Sequence, residues 1–87
     1  MNILEFVHHP KIKSLSPFEL RLLLDLYEIA EDNIIENFRI TEYVKVNKEE
    51  NNGGITSRTT VTSLLKDLED KGLIEKRVKR VDIIPLA

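Results

Sequence analysis

Hydroxyl side chains crowd one short stretch of the chain, from Thr56 to Ser63, where six of the eight residues are serine or threonine. Arg58 lies inside this stretch and Lys66 follows it, whereas the first acidic residue after it is Asp67. Hydroxyl, guanidinium and ammonium groups donate hydrogen bonds to phosphate oxygens and to base edges. This stretch could therefore recognise an anionic surface rich in hydrogen-bond acceptors, such as nucleic acid.

A second group of cations follows shortly afterwards, with four basic residues in five positions: Lys76, Arg77, Lys79 and Arg80. A charge run is usually only a solvated surface. Beside a hydroxyl-rich helix, however, it is suited to binding phosphates.

The hydroxyl-rich stretch also has the pattern of an amphipathic helix, which we predict over residues 56–71. Thr56 or Ser57 can cap its N-terminus. Gly72 can end it in the left-handed conformation, which would bring Leu73 against Leu68 in a Schellman cap. Spacings of three and four predict an inward apolar face made of Val61, Leu64, Leu65 and Leu68. The opposite face carries Thr59, Thr62, Ser63, Lys66 and Asp70.

After Gly72 the sequence favours two short strands. The strand-forming residues are Ile74, Val78, Val81, Ile83 and Ile84. We expect the chain to turn at Lys79 and Arg80. Neither residue is Gly or Asn, so a two-residue turn would be unusual and a longer loop is an equal alternative.

An earlier helix is predicted to begin after Ser16 and to run to about Asn33. Ser16, Pro17 and Glu19 form a capping box with proline at the first helical position, and Leu15 and Leu20 form a hydrophobic staple. The apolar residues recur at helical spacing: Leu22, Leu23, Leu26, Tyr27, Ile29 and Ala30.

Residues 34–54 give a weaker signal. We predict a brief extended segment from Phe38 to Ile40 and a helix from Glu42 to about Lys48 with Thr41 as its N-cap. Residues 48–54, KEENNGG, are predicted to turn. If the preceding segment is instead a strand, NNGG would form a hairpin turn.

Residues 1–14 are predicted to form a short helix or an extended arm that packs on the body or on a second subunit. They contain several apolar residues, and Pro10 limits any helix there. His8 and His9 have no carboxylate or further histidine at a useful helical spacing, so we expect no metal site.

Composition is that of a folded domain, with 41% hydrophobic and 32% charged residues. The formal net charge is −2, but residues 55–87 hold seven Lys/Arg against five Asp/Glu, which gives +2. There is no cysteine, and no stretch approaches the ~20 apolar residues that span a bilayer. We therefore expect a soluble, cytoplasmic protein without a disulfide. No phosphate-binding glycine loop or nucleophile–base pattern is present, so we expect neither an enzyme nor a cofactor.

The stretch SRTTVTSLLKDLEDKGLIEKR, residues 57–77, resembles the recognition helix and first wing strand of winged helix-turn-helix proteins, especially MarR, PadR and related regulators. The resemblance rests on the Ser-Arg-Thr-Thr-Val start, the leucine face and the KGLIEKR exit. It implies an α+β, mainly α fold, in which residues 15–87 form a winged helix with a short C-terminal β-hairpin. The connection KEENNGG is longer than is usual in this family, and the hairpin is very short.

The resemblance also implies a function, namely sequence-specific binding of double-stranded DNA by a small, homodimeric transcriptional regulator. Helix 56–71 would enter the major groove, and the 76–80 hairpin would lie on the backbone. The implied groove residues are Ser57, Arg58, Thr59, Thr62, Ser63 and Lys66, and the implied wing residues are Lys79 and Arg80, to which the charge run adds Lys76 and Arg77. Because no further region follows the hairpin, we expect no small-molecule effector.

Two alternatives remain open at this level. A plasmid or viral replication or partition protein can use the same DNA-binding domain. A winged-helix module that binds other proteins and never touches DNA would suit the sequence pI of about 5.7.

Overall fold

Five helices and three strands form the part of the chain that a computed structural model describes, residues 3–50 and 54–86. In chain order they are α1 (Ile3–His8), α2 (Pro10–Lys13), α3 (Pro17–Ile29), β1 (Ile34–Glu36), α4 (Ile40–Glu50), α5 (Arg58–Asp70), β2 (Ile74–Arg77) and β3 (Arg80–Ile83). The three strands make one antiparallel sheet in the order β1-β3-β2. The predicted α+β class with helix as its main component is confirmed.

The N-terminus of α3 has the predicted capping box. The Ser16 backbone N–H donates to Oε1 of Glu19 at 2.8 Å, and the Glu19 backbone N–H donates to the Ser16 hydroxyl at 3.3 Å. Pro17 occupies the first helical position, where its missing N–H leaves nothing unsatisfied. The helix buries Leu22, Leu23 and Leu26 completely.

The C-terminus of α3 comes earlier than predicted, at Ile29 instead of Asn33. Asp32 and Asn33 both have positive φ, 51° and 64°, which is typical of a type I′ turn. Two hydrogen bonds close the turn, since the backbone groups of Glu31 and Ile34 bond each other at 2.9 and 3.0 Å. Asp and Asn tolerate the left-handed conformation, so the chain reverses where helical periodicity alone suggested continuation.

The predicted extended segment at Phe38–Ile40 is wrong in position, because the strand is β1, Ile34–Glu36. Its register with β3 pairs Ile35 with Val81, and both side chains are buried. Asn37 follows with φ 56° and ends the strand. Phe38 instead packs on Tyr43, with ring centroids 5.9 Å apart.

Helix α4 occurs where a helix was predicted but is longer at both ends. The Tyr43 backbone N–H donates to the Arg39 carbonyl at 3.1 Å, so the helix starts before Thr41, which therefore is not the N-cap. At the other end, the predicted turn at residues 48–50 is wrong because α4 continues to Glu50. The rest of the predicted turn, residues 51–53, and with it most of the alternative NNGG hairpin, lies outside the described residues.

Helix α5 confirms the predicted amphipathic helix, with Ser57 as its N-cap. At its end Gly72 has φ 75°, and the Leu73 N–H donates to the Leu68 carbonyl at 3.0 Å. The Gly72 N–H donates to the Glu69 carbonyl at 3.0 Å. These are the two hydrogen bonds of a Schellman cap. The buried face is the predicted one, made of Val61, Leu64, Leu65 and Leu68.

Strands β2 and β3 form a hairpin whose turn lies one residue earlier than predicted. Val78 and Lys79 occupy the turn, and Arg80 already pairs with Arg77 across the strands. Lys79 has φ 59°, and its carbonyl accepts a hydrogen bond from the Asn37 N–H at 2.6 Å. The two-residue turn is therefore fixed by contact with the chain after β1 as well as by its own residues.

The N-terminal segment is helical, which is one of the two predicted alternatives, a short helix or an extended arm. Residues 1 and 2 lie outside the part of the chain that the structure describes. Pro10 begins α2 at the first helical position, and Nδ1 of His9 accepts from the Lys11 backbone N–H at 3.2 Å. Phe6 of α1 meets Tyr27 of α3 edge to face, with ring centroids 5.5 Å apart. Within residues 3–50 and 54–86, no helix combines the length and apolar character required to cross a membrane.

Candidate nucleic-acid interface

An open groove of about 960 Å³ runs along the exposed face of α5. Five of the six residues predicted on the helix line it: Arg58, Thr59, Thr62, Ser63 and Lys66. They share this groove because the opposite face of α5 is fixed in the core by Val61 and the three leucines. The predicted pattern therefore brings hydroxyls and cations onto one accessible surface.

The start of α5 is held by hydrogen bonds on both sides of Ser57. The Ser57 hydroxyl accepts from the Thr60 backbone N–H at 3.4 Å. Upstream, Nδ2 of the buried Asn47 donates to the Ile55 carbonyl at 2.8 Å, which attaches the incoming segment to α4. Ser57 thus caps the helix with its hydroxyl oxygen, and its O–H is still able to donate, while the positive end of the helix dipole lies at the head of the groove.

The cations of the groove are exposed and uncommitted. Arg58 and Lys66 form no ion pair with any other residue in the described part of the chain. Thr62 donates its hydroxyl to the Arg58 carbonyl at 3.0 Å, one helical turn back. One carboxylate lines the groove at its far end, that of Glu69, which accepts from the Lys76 backbone N–H at 2.9 Å. The N-terminal half of the surface is therefore free of acid.

Strand alternation divides three of the four cations of the hairpin between the two faces of the sheet, and the fourth, Lys79, lies in the turn. Lys76 is opposite the buried Val81, and its side chain lines the α5 groove together with Lys66. Arg77 pairs with Arg80 at the next position, so both project from the other face. The predicted run of cations is thus divided among the α5 groove, the other face of the sheet and the turn.

On that other face, Asp82 holds both arginines. Its Oδ2 lies 3.1 Å from Nε of Arg77, and its Oδ1 lies 2.7 Å from Nε of Arg80. The hydrogen bond from Arg80 is the main reason that the pKa of the Asp82 carboxyl lies below its ordinary value. Glu75 also pairs with Arg77, at 3.1 Å. The two guanidinium groups are accordingly neutralised within the hairpin, whereas Lys76 and Lys79 form no ion pair in the described residues.

The turn of the hairpin exposes Lys79 next to Val78, of which 91% is accessible. The ammonium group of Lys79 is free to meet an anion beyond the edge of the sheet. Because the apolar side chain of Val78 is so exposed, it contributes nothing to the hydrophobic core.

A second surface, which sequence reasoning missed, adjoins the head of α5. Thr41, Lys45, Lys48 and Glu49 of α4 line a cavity of about 710 Å³ together with Ser57 and Arg58. Lys45 and Lys48 are three residues apart in a segment predicted to be helical, so the sequence did indicate that they share one face of that helix. Nothing in the sequence indicated that this face would border α5.

The described residues give little support to a metal-binding site. No group of three or more His, Cys, Asp and Glu side chains there is arranged to hold a metal ion. His9 caps α2 instead. Comparison with protein-family models, with curated proteins and with solved structures found no match.

Proposed function

We propose that this protein binds double-stranded DNA in a sequence-specific manner as a small transcriptional regulator with a winged helix-turn-helix domain. The observation that carries the proposal is the α5 groove, in which the hydroxyls and cations of the helix meet Lys76 of the hairpin. The order α4, α5, β2, β3, with the hairpin directly after the exposed helix, is what the winged-helix resemblance implies.

In this proposal the N-terminal half of α5 lies in the major groove. Arg58 and Lys66 supply long donors that suit phosphate or guanine, and the hydroxyls of Thr59 and Ser63 suit phosphates and base edges. The Thr62 hydroxyl already donates to the Arg58 carbonyl, so its oxygen suits a donor on a base edge. Lys76 and Lys79 contact the flanking backbone from the hairpin. Lys45 and Lys48 of α4 lie next to Arg58 at the head of α5 and extend the cationic surface there, whereas Glu49 in the same cavity opposes an anion.

The overall charge of −2 is compatible with this proposal because counterion release depends on the cations that meet phosphates. Arg77 and Arg80 contribute less than their charges suggest, since Asp82 already binds them. The interface therefore depends on a small number of lysines and one arginine, and each of these cations that meets a phosphate should add about 0.9 to the salt slope.

We also propose that the protein acts as a homodimer. The N-terminal helices support this part, since Leu4 and Val7 of α1 are 66% and 38% exposed and so leave an apolar surface open. Two copies related by a twofold axis would present two α5 helices to one duplex, and a repeated half-site would mirror that symmetry.

The deciding experiment is selection of bound duplexes from a random pool, followed by affinity measurements over a range of salt concentrations. We expect an enriched motif with two half-sites. The double variant Arg58→Ala/Lys66→Ala should lower affinity for every sequence and reduce the salt slope by about two for each bound protomer, hence by about four for the homodimer.

The matched control is Lys13→Ala/Arg39→Ala, which removes the same charge from residues that do not line the α5 groove. This control should bind nearly as the wild type does. Absence of any shift of DNA at low salt, or equal losses in the two double variants, would show that the proposal is wrong.

A further inference from the structure

A second groove lies on the other flank of α4, away from α5. It consists of two adjoining cavities of about 590 and 440 Å³, which share Ile29, Ile35 and Glu36. Residues 29–39 form one wall, and the flank of α4 that carries Glu42 and Val46 forms the other. We call this surface the acidic groove.

The floor of the acidic groove is apolar. Ile35 is buried at its base, and Phe38 is half-buried beside it. Ile29 at the end of α3 and Val46 on α4 are 50% and 46% exposed. Two large aliphatic side chains are therefore open to solvent in the same concave surface, which is where partners are usually bound.

The rim of the acidic groove is strongly biased toward negative charge. Two cations line it, Arg39 and Lys45, against five carboxylates: Glu31, Asp32, Glu36, Glu42 and Glu49. None of these five carboxylates forms an ion pair with a residue that the structure describes. Glu36 is paired across the strands with Arg80 and attracts its guanidinium group, so the charge available to an external partner is mainly that of Glu31, Asp32, Glu42 and Glu49.

Backbone hydrogen bonds hold the rim in place. The type I′ turn that carries Asp32 is closed by its two hydrogen bonds between Glu31 and Ile34, and the Asn37 N–H is tied to the Lys79 carbonyl at 2.6 Å. The groove is thus formed before anything binds, and a partner would not have to order it.

We propose that the acidic groove docks a cationic amphipathic helix from a protein partner. Apolar residues at a spacing of three and four would fill the floor over Ile29 and Val46, and lysines or arginines on the flanks would face the five carboxylates. Nucleic acid and anionic lipid have the wrong sign of charge for this surface. Glu42 and Val46 line the acidic groove but neither of the cavities beside α5, whereas Lys45 and Glu49 line both the acidic groove and the cavity at the head of α5. The docking site thus adjoins the proposed DNA surface, and it goes beyond the DNA-binding proposal.

The test uses the full chain labelled with ¹⁵N and three synthetic peptides of about 15 residues. The first peptide combines leucines at helical spacing with lysines, the second keeps the leucines and replaces the lysines with glutamates, and the third keeps the lysines and replaces the leucines with serines. We expect saturable amide shifts at residues 29–39 and on the Glu42 flank of α4 with the first peptide alone. The affinity should decrease as salt rises.

Two pairs of variants test whether the groove itself is responsible. Ile29→Ser should weaken the first peptide by about tenfold, whereas Leu24→Ser, a comparably exposed change on the same helix, should not. Glu42→Lys should weaken binding more than Glu28→Lys, since Glu28 does not line the groove.

Several outcomes would overturn the proposal. These are the absence of saturable shifts, shifts centred on the α5 groove, equal binding of the glutamate peptide, and equal losses in either matched pair. Sedimentation of the unliganded protein tests the other occupant, because a dimer abolished by Ile29→Ser but kept by Leu24→Ser would assign the groove to a second copy of this chain.

Discussion

Nζ of Lys71 lies 2.9 Å from Oε2 of Glu19, so the C-cap of α5 is joined to the first turn of α3 across 52 positions of sequence. Glu19 also accepts from the Ser16 backbone N–H at 2.8 Å, and its side chain is only 8% exposed. One carboxylate therefore completes the start of one helix and fixes the end of another, which sets how α5 is oriented on the body.

Replacing Lys71 should leave the buried carboxylate without its cation. We expect Lys71→Met to lower the free energy of unfolding by about 1–2 kcal/mol, below the ~3–5 kcal/mol typical of fully enclosed pairs, because 35% of the Lys71 side chain is exposed. Urea unfolding at pH 7 measures the change. Lys66→Met is the control on the exposed face of α5, and an equal effect of both changes would contradict this role of Lys71.

The free energy of unfolding should depend on pH through the ionisation of Glu19. Burial raises the pKa of its carboxyl, but the Ser16 N–H and the contacts with Lys71 outweigh burial and hold the pKa below its ordinary value of 4.5. The ionised carboxylate therefore stabilises the fold fully above about pH 4.5, and this contribution is lost as the pH falls through the lowered pKa.

A Glu19→Gln variant tests this linkage. The difference in unfolding free energy between wild type and variant should narrow as the pH falls from neutral to below 4.5. Denaturant titrations at several pH values measure it. A difference that stays constant over this range would exclude Glu19 as a source of acid sensitivity.

Gly72 is required for its backbone conformation. At φ 75°, alanine would be strained, whereas its Cβ would meet only Nζ of Lys11 at 3.4 Å, a flexible group that can move. We expect Gly72→Ala to destabilise the protein by about 1–2 kcal/mol, and Gly72→Asn to cost less because asparagine tolerates this region. Thermal or urea unfolding measures the loss of stability in each variant. An alanine variant as stable as the wild type would refute the Schellman cap.

Adjacent residues of β2 should differ in their effect on DNA binding. Lys76 lines the α5 groove, whereas Arg77 is bound to Asp82 on the other face of the sheet. Under the DNA-binding proposal, Lys76→Ala should lower affinity and reduce the salt slope by about one for each bound protomer, and Arg77→Ala should change both much less. Fluorescence anisotropy with labelled duplexes measures this, and the reverse order would place the interface on the outer face of the sheet.

Glu69 should oppose an anionic ligand because its carboxylate lines the same groove. Glutamine keeps an oxygen that can accept from the Lys76 backbone N–H, so the Glu69→Gln change removes charge with little change of structure. We expect tighter DNA binding at low salt and a smaller gain at high salt, where the charge is screened. Asp70→Asn is the control at the neighbouring position, which does not line the groove.

Much of the helical structure could be predicted because its signals are local. The capping box at Ser16 and the glycine at residue 72 each specify a boundary through bonds within a few residues. Local signals failed at the C-terminus of α3, where helical periodicity predicted that the helix would continue to Asn33. Asp32 and Asn33 instead form a turn that leads into β1. The position of β1 was not predicted correctly because a three-residue strand is stabilised by its partner β3, which is more than forty positions away in the sequence.

The sequence by itself determined the amphipathic face of α5, its caps and the residues that its outer face exposes, since periodicity and capping depend on neighbours along the chain. Only the tertiary structure decided which cations meet that face. Pairing of β2 with β3 placed the turn at Val78 and Lys79 and set Arg77 beside Arg80 over Asp82, while Lys76 faced α5. Such pairings join residues on different strands and helices, and local preferences do not contain them.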